Sequence, residues 1–223
     1  MKPKALVKTI ADILMTALLL LLMAFELVGR AAHEWIGVGM FCLFALHHLL
    51  NRGWVKNLFR GKYTPLRAAR TAVAALVFFT MLGSFVSAVF ISQEVFAFLP
   101  IRRGMALGRV VHLLCAYWGY LFLSLHLGLH WGMILALARR KGQPSPRRKR
   151  TANILGAAAA LYGVVALFRR QIPTYLFLQT PFVYFDFQEP LVFFFLDYLA
   201  VMAAFVWLGH FLTKSLRKRN QPS

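Results

Sequence analysis

Four histidines lie in two apolar segments and share one spacing. His33 and His47 are fourteen residues apart, and so are His112 and His126. In a helix, fourteen residues at about 100° each return to within about 40° of the starting direction and rise about 21 Å. Each pair therefore lies on one helix face, at two depths. Two such helices running parallel can offer an imidazole from each side to two metal centres.

This arrangement is typical of haem held between helices. Haem iron takes axial nitrogen ligands from opposite sides, and the core of a helix bundle is where such cofactors bind. We predict that His33 and His112 bind an outer haem b. His47 and His126 are predicted to bind an inner haem b, giving two haems in one chain.

The inner assignment has alternatives. His48 adjoins His47 but points about 100° away, whereas His130 lies about one turn beyond His126 on nearly the same face. Either can serve instead as a ligand of the inner haem. These two residues and His210 are near the predicted cytoplasmic side, where a polar interface or a quinone site is another interpretation.

Basic residues and glycines accompany the histidines. Arg30 and Arg109 each precede an outer histidine by three residues, so their guanidinium groups can meet the propionates of the outer haem. Gly119 lies midway between the two histidines of its segment, where a side chain would crowd a macrocycle. Gly37, beside His33, is predicted to leave space in the same way, on weaker grounds. Candidates for the inner propionates are Asn51, Arg52 and Lys56.

The chain is too apolar for an ordinary soluble domain. Its 223 residues are 60% hydrophobic and 15% charged, with a mean hydropathy of +0.63. The formal charge is +19, but the basic residues lie in the gaps between apolar runs. There they mark topology and contact lipid headgroups, so no nucleic acid is expected as a partner. The cysteines lie inside apolar runs, and the absence of a CxxCH motif excludes covalent c-type haem.

Six apolar runs are long enough to cross a bilayer. They cover about residues 9–28, 33–51, 71–92, 109–138, 152–168 and 191–213. The predicted fold is thus an all-α, six-helix transmembrane bundle that forms one domain over residues 1–223. The first run resembles a signal peptide without a clear cleavage site, so we expect a retained anchor. The fifth is short and rich in Ala, and five spans would move the C-terminus to the opposite side.

The basic residues also predict the orientation. With both termini in the cytoplasm, 20 of the 26 Lys and Arg residues lie in cytoplasmic segments, as the positive-inside rule requires. The proline- and aromatic-rich segment 171–190 is expected to cover the outer face. Asp197, inside the last run, is interpreted as a hydrogen-bond partner of a facing helix in preference to a proton route.

Two other classes of function use the same residues. A transition-metal or proton transporter would employ intramembrane histidines together with carboxylates or thiols, and Cys115 is the nearest thiol to His112. A haem-free membrane anchor subunit would use histidines only for hydrogen bonds between helices. The repeated spacing, with Arg at the same offset in both segments, favours haem.

Two stretches resemble a known family. HEWIGVGMFCLFALHHLLNRGWVKNLFRGKY and VVHLLCAYWGYLFLSLHLGLHW are similar to the flavinylation-associated cytochromes, small bacterial membrane proteins related to the b-type cytochrome subunits of respiratory oxidoreductases. The resemblance covers about residues 9–213. It implies an electron-transfer subunit of the bacterial cytoplasmic membrane, not a self-contained enzyme. It also implies electron transfer from a quinol pool or a cytoplasmic donor to extracytosolic acceptors such as flavoproteins. The four spaced histidines would be its ligands.

Overall fold

The chain folds into helices. A computed structural model describes residues 3–101, 103–138 and 145–218, and within these ranges all regular structure is helical. The helices are α1 (Pro3–Met23), α2 (Phe25–Val28), α3 (Arg30–Leu50), α4 (Arg52–Lys56), α5 (Pro65–Ile91), α6 (Met105–Ala138), α7 (Pro146–Arg169), α8 (Ile172–Leu176) and α9 (Leu191–Lys218).

Every predicted apolar run is helical, and most can cross a membrane. By length and composition, five helices of the described residues qualify as spans: α1, α5, α6, α7 and α9. The Ala-rich run, α7, is among them because it extends over 24 residues. The run that is not among them is α3, whose three histidines and Glu34 make it less apolar. The protein is therefore an all-α, multi-pass membrane protein.

The first apolar run differs from the prediction because it breaks into two helices. α1 ends at Met23, α2 occupies Phe25–Val28, and Gly29 follows with a φ of +76°. Residues with a side chain rarely adopt this backbone conformation, so a glycine suits the position. The break lets the chain turn back before α3 begins.

The described helices belong to two compact units. The described residues of the first unit fall within 3–62 and 81–116, and those of the second within 63–80 and 117–218. In the first unit α1 packs against α3 in antiparallel fashion, because Lys8 contacts Asn51 and Asp12 contacts His47. Gly108, near the start of α6, packs closely against the end of α5. This contact leaves no space for a side chain at that position.

In the second unit α7 packs against α9, and small residues bring the two backbones together. A methyl group added at Gly163 would overlap the carbonyl oxygen of Ala200. α6 approaches α9 in the same way, because a methyl group at Gly128 would overlap the carbonyl oxygen of Val206. Close contacts of small residues are common between membrane helices, where packing rather than the hydrophobic effect drives association.

Candidate metal centre

The structure brings His33 and His112 together in the first unit. Their ring centres are 6.1 Å apart, and the ring planes are inclined by 72°. A metal–imidazole bond is about 2 Å long and the bonding nitrogen lies about 1 Å from its ring centre, so two imidazoles on opposite sides of one metal ion have ring centres about 6 Å apart. The observed separation fits two axial ligands of one metal.

Hydrogen bonds orient the ring of His112. Its Nδ1 donates to the backbone carbonyl oxygen of Ser84 at 3.0 Å and lies 3.2 Å from the hydroxyl oxygen of Ser87. That hydroxyl itself donates to the carbonyl of Gly83 at 2.6 Å, so its oxygen accepts from the imidazole. Because a carbonyl can only accept, Nδ1 has the proton and Nε2 has the lone pair. Metal-binding histidines commonly donate their second ring N–H in this way.

His33 is held differently. It lies in the first unit near the start of α3, half-buried, and the ring of Phe25 packs edge-on against it with 5.0 Å between centres. Its Nδ1 is buried and has no hydrogen-bond partner among the described residues. Buried polar atoms are nearly always satisfied, so such a nitrogen suits a site that receives a further group. The donor set of this pair therefore fits haem ligation.

Glu34, next to His33, ties α3 to the segment that follows α5. Its carboxylate accepts the hydroxyl of Ser92 at 2.6 Å and the backbone N–H groups of residues 93–95 at 2.9, 3.1 and 2.9 Å. Hydrogen bonds to an ionised acceptor are stronger than neutral ones. This set of contacts, the Glu34 clamp, fixes the helix of His33 relative to α5, which also provides the hydrogen bonds to His112.

His47 pairs with a carboxylate that sequence reasoning did not select. Its Nδ1 is 2.7 Å from Oδ1 of Asp12, on α1. An ionised carboxylate only accepts, so Nδ1 is the donor and Nε2 is left for a metal. The sole sequence signal was a carboxylate inside an apolar run. His48 instead donates from Nδ1 to the carbonyl of Phe44 in its own helix, at 2.9 Å.

The remaining histidines lie in the second unit. His126 and His130 are one turn apart on α6, and their ring centres are 4.7 Å apart. Both belong to a different unit from His47, and both stay candidates for the inner ligand. His210 is half-buried on α9.

The residues predicted to contact the haem propionates lie in different environments. Arg30 donates from Nη1 to the side-chain oxygen of Gln93, which belongs to the segment held by the Glu34 clamp. Arg109 is exposed. The candidates for the inner propionates line one cavity at the end of α3: Asn51, Arg52 and Lys56. The structure thus brings the inner candidates together, while the role of each as a propionate partner stays a prediction.

Gly119 and Gly37, the glycines predicted to leave space for a macrocycle, differ in how closely other residues pack around them. Gly119 is buried, and a methyl group added there would lie 3.2 Å from the hydroxyl oxygen of Thr80 on α5. Close helix packing therefore also explains a glycine at this position. At Gly37 an added methyl group would have no neighbour within 4 Å among the described residues.

Asp197 is fully buried on α9 and binds the facing helix, as predicted. It accepts the hydroxyl of Tyr162 at 2.5 Å and Nε of Arg170 at 2.8 Å. Arg170 also binds Glu189, at 2.6 Å from Nη1. Burial lowers the pKa of Arg170, but its hydrogen bonds to Glu189 and the negative charge of Asp197 outweigh this effect and raise it. The arginine therefore stays charged.

The segment 171–190, predicted to be an outer cover, packs against α6 within the second unit. Its short helix α8 buries Ile172 and Leu176, and the indole nitrogen of Trp118 donates to the carbonyl of Leu176 at 3.0 Å. The ring of Tyr175 lies 4.8 Å from that of Tyr117. The aromatic residues of the segment thus cover the part of α6 that follows the outer histidine.

Among the described residues, no group of three or more His, Cys, Asp or Glu side chains is arranged to hold a metal ion. Cys115, the thiol nearest in sequence to His112, packs against Gly83 of α5. Haem differs from a bare metal ion because its iron needs only two protein ligands. No family model, curated protein or solved structure matches the chain.

Proposed function

We propose that this protein is a bis-haem b-type cytochrome that moves electrons across a membrane. The observation that supports this proposal best is the His33–His112 pair. Its ring separation of 6.1 Å suits two ligands of one metal, and the hydrogen bond from Nδ1 of His112 to Ser84 leaves Nε2 available. This geometry supports the proposed role of both residues as haem ligands.

The proposed architecture is one domain of six membrane-spanning helices, with both termini in the cytoplasm. The sixth span is α3. Its 21 residues extend about 31 Å, which matches the thickness of the hydrocarbon core. Its histidines reduce its hydropathy, and paired or ligated polar residues are tolerated in a bundle interior. The distribution of Lys and Arg supports the orientation.

In the proposed mechanism, the protein holds its ligands in a defined tautomer. The carbonyl of Ser84 keeps the proton of His112 on Nδ1, and the carboxylate of Asp12 does the same for His47. His126 is the proposed partner of His47, with His48 and His130 as alternatives. A bound haem supplies one-electron redox chemistry. If two histidines hold each haem, no coordination position would stay open for oxygen, which would favour electron transfer over oxygen activation.

The proposed location is the bacterial cytoplasmic membrane, and the proposed partners are redox proteins and lipids. A quinol or a cytoplasmic donor would provide electrons, and an extracytosolic acceptor such as a flavoprotein would receive them. The resemblance of the His-bearing helices to flavinylation-associated cytochromes supports this route. The protein would act as an electron-transfer subunit, because substrate chemistry would belong to its partner.

A visible spectrum tests the proposal directly. Reduced-minus-oxidised spectra of the purified protein, with extracted haem quantified per chain, are expected to show about two low-spin b haems. One haem per chain would contradict the inner assignment, in which His48 and His130 compete. No haem, in protein produced with sufficient haem supply, would contradict the cytochrome proposal.

One observation favours a second candidate, a proton transporter. The pair formed by Asp12 and His47 joins two ionisable groups of adjacent helices, and such pairs in membrane helices often belong to proton routes. A proton transporter would contain no haem. Proteoliposomes that hold the purified protein would acidify inside when a membrane potential is applied. Asp12→Asn should abolish that flux. A haem-containing protein with no flux would contradict it.

A further inference from the structure

A cavity lined by basic side chains lies at one end of the α1–α3 pair, within the first unit. Its volume is about 540 Å³. Residues of the first two turns of α1 form one wall, and the end of α3 with α4 forms the other. The basic residues of the lining are Lys4, Lys8, Arg52 and Lys56. None of the residues that line it is acidic.

The charge of Lys8, one of the cations of the lining, is held by a neutral partner. Nζ of Lys8 donates to Oδ1 of Asn51 at 2.8 Å, and the amide nitrogen of Asn51 donates to the carbonyl of His47 at 2.9 Å. Asn51 therefore positions Lys8 without neutralising its charge. Four cations around one cavity repel each other, and a bound anion offsets this repulsion.

The other residues of the lining indicate what kind of anion fits. Leu50 and Trp54 add an apolar surface beside the cations, and Trp54 is 49% exposed. Tryptophan near the end of a membrane helix is typical of the bilayer interface. α1 is one of the apolar helices long enough to span, and it begins at Pro3, so the cavity is expected at the depth of lipid headgroups if α1 spans.

We infer that this cavity binds the phosphate group of an anionic phospholipid. The cations would contact the phosphate, while Leu50 and Trp54 would contact the upper part of the acyl chains. This inference does not depend on the proposed electron transfer. Free phosphate offers the same charge but no apolar part, and haem propionates offer carboxylates; the experiment separates both from a lipid.

Native mass spectrometry of the full chain in detergent tests the site. The probes are dioleoylphosphatidylglycerol, which is anionic, and dioleoylphosphatidylcholine, which is zwitterionic. We expect the protein to retain the anionic lipid preferentially. The triple variant Lys8→Gln, Arg52→Gln, Lys56→Gln should lose at least about tenfold of this preference, since each basic residue near anionic lipid contributes measurably to binding.

A matched control removes the same charge elsewhere. Arg147, Arg148 and Lys149 are exposed basic residues in the first turn of α7, outside the cavity. Their triple replacement by Gln should leave the lipid preference unchanged. An equal loss in this control would overturn the specific site. Lys8→Arg with Lys56→Arg keeps the charge and should keep the preference, which separates charge from folding defects.

Two further outcomes would overturn the inference. If the cavity triple variant loses binding of inorganic phosphate but keeps its preference for the anionic lipid, the cavity is a site for free phosphate. If the cavity triple variant keeps its lipid preference and loses bound haem, the cations serve propionates instead. Loss of the preference in the cavity triple variant, together with its retention in the Lys8→Arg, Lys56→Arg variant, supports the lipid site whatever the haem content of the triple variant.

Discussion

At the scale of single residues, the two outer histidines, His33 and His112, are oriented by different contacts. His112 has two oxygen partners on α5, whereas His33 has an aromatic neighbour and an unpaired Nδ1. We expect His112→Ala to reduce the haem content from about two per chain to about one, because a single imidazole does not replace the missing ligand. A pyridine haemochrome assay on purified protein measures this.

His210→Ala is the control for that loss. His210 lies on α9, outside both proposed ligand pairs, so its replacement should retain both haems. Two haems per chain in His112→Ala would show that the ligand assignment is wrong.

The carboxylate of Asp12 gives a second prediction at this scale. A negative charge on the second nitrogen of a ligating imidazole stabilises oxidised iron. Asp12→Asn should therefore raise the midpoint potential of one haem by roughly 20–60 mV, since about 59 mV corresponds to a tenfold change for one electron. Redox titration monitored by visible absorbance gives the shift. The exposed Asp186 provides the control variant Asp186→Asn, for which no shift is expected.

This prediction also distinguishes the adjacent histidines. His48 donates to a carbonyl of its own helix, so a ligand role for it would leave both potentials unchanged by Asp12→Asn. The spacing of the histidines was readable from the sequence because it follows from helix geometry. The roles of Asp12 and Ser84 could not be predicted from the sequence, because they depend on which helices pack together. A periodic pattern within one helix contains no such information.

At the scale of elements, the contact between α7 and α9 depends on Gly163. Gly163→Ala should reduce the free energy of unfolding by about 1–3 kcal/mol, because the added methyl group overlaps the carbonyl of Ala200 and forces the helices apart. Thermal unfolding in detergent, followed by circular dichroism, measures the loss. Gly156→Ala on the same helix is the control, because there the methyl group would lie 3.7 Å from Trp207, an ordinary contact. Equal losses in both variants would contradict this account.

Apolar runs predicted the long helices well, and for a physical reason. In a bilayer every backbone N–H and C=O must be satisfied within the chain, so a long apolar run has few alternatives to a helix. Short helices lack this constraint. α2, α4 and α8 have 4, 5 and 5 residues, too few for a periodic pattern to be recognised. The break at Gly29 depends on a positive φ, which composition does not reveal.

At the scale of the whole molecule, the number of spans determines the orientation. If α3 spans together with the five more apolar helices, the C-terminus lies in the cytoplasm. A green fluorescent protein fused to the C-terminus should then be fluorescent, and alkaline phosphatase fused within the segment between α5 and α6 should be active. The reverse at both positions would show that α3 does not span. A fusion at the N-terminus, cytoplasmic in both cases, is the control.

The buried Asp197 affects how the chain is made. An aspartate at the centre of a membrane helix costs about 2.5–3.5 kcal/mol on insertion scales and less nearer the end. Asp197, in the second turn of α9, therefore disfavours transfer of α9 from the translocon into lipid by less than this amount. Arg169 ends α7 and Arg170 follows it, and the ribosome produces both before α9, so their charges are present when Asp197 arrives. We expect α9 alone to insert less efficiently than its Asp197→Leu variant in a glycosylation-based insertion assay. With α7 upstream, the difference should shrink. By this account, the ion pair makes insertion of α9 depend on α7, which is synthesised before it.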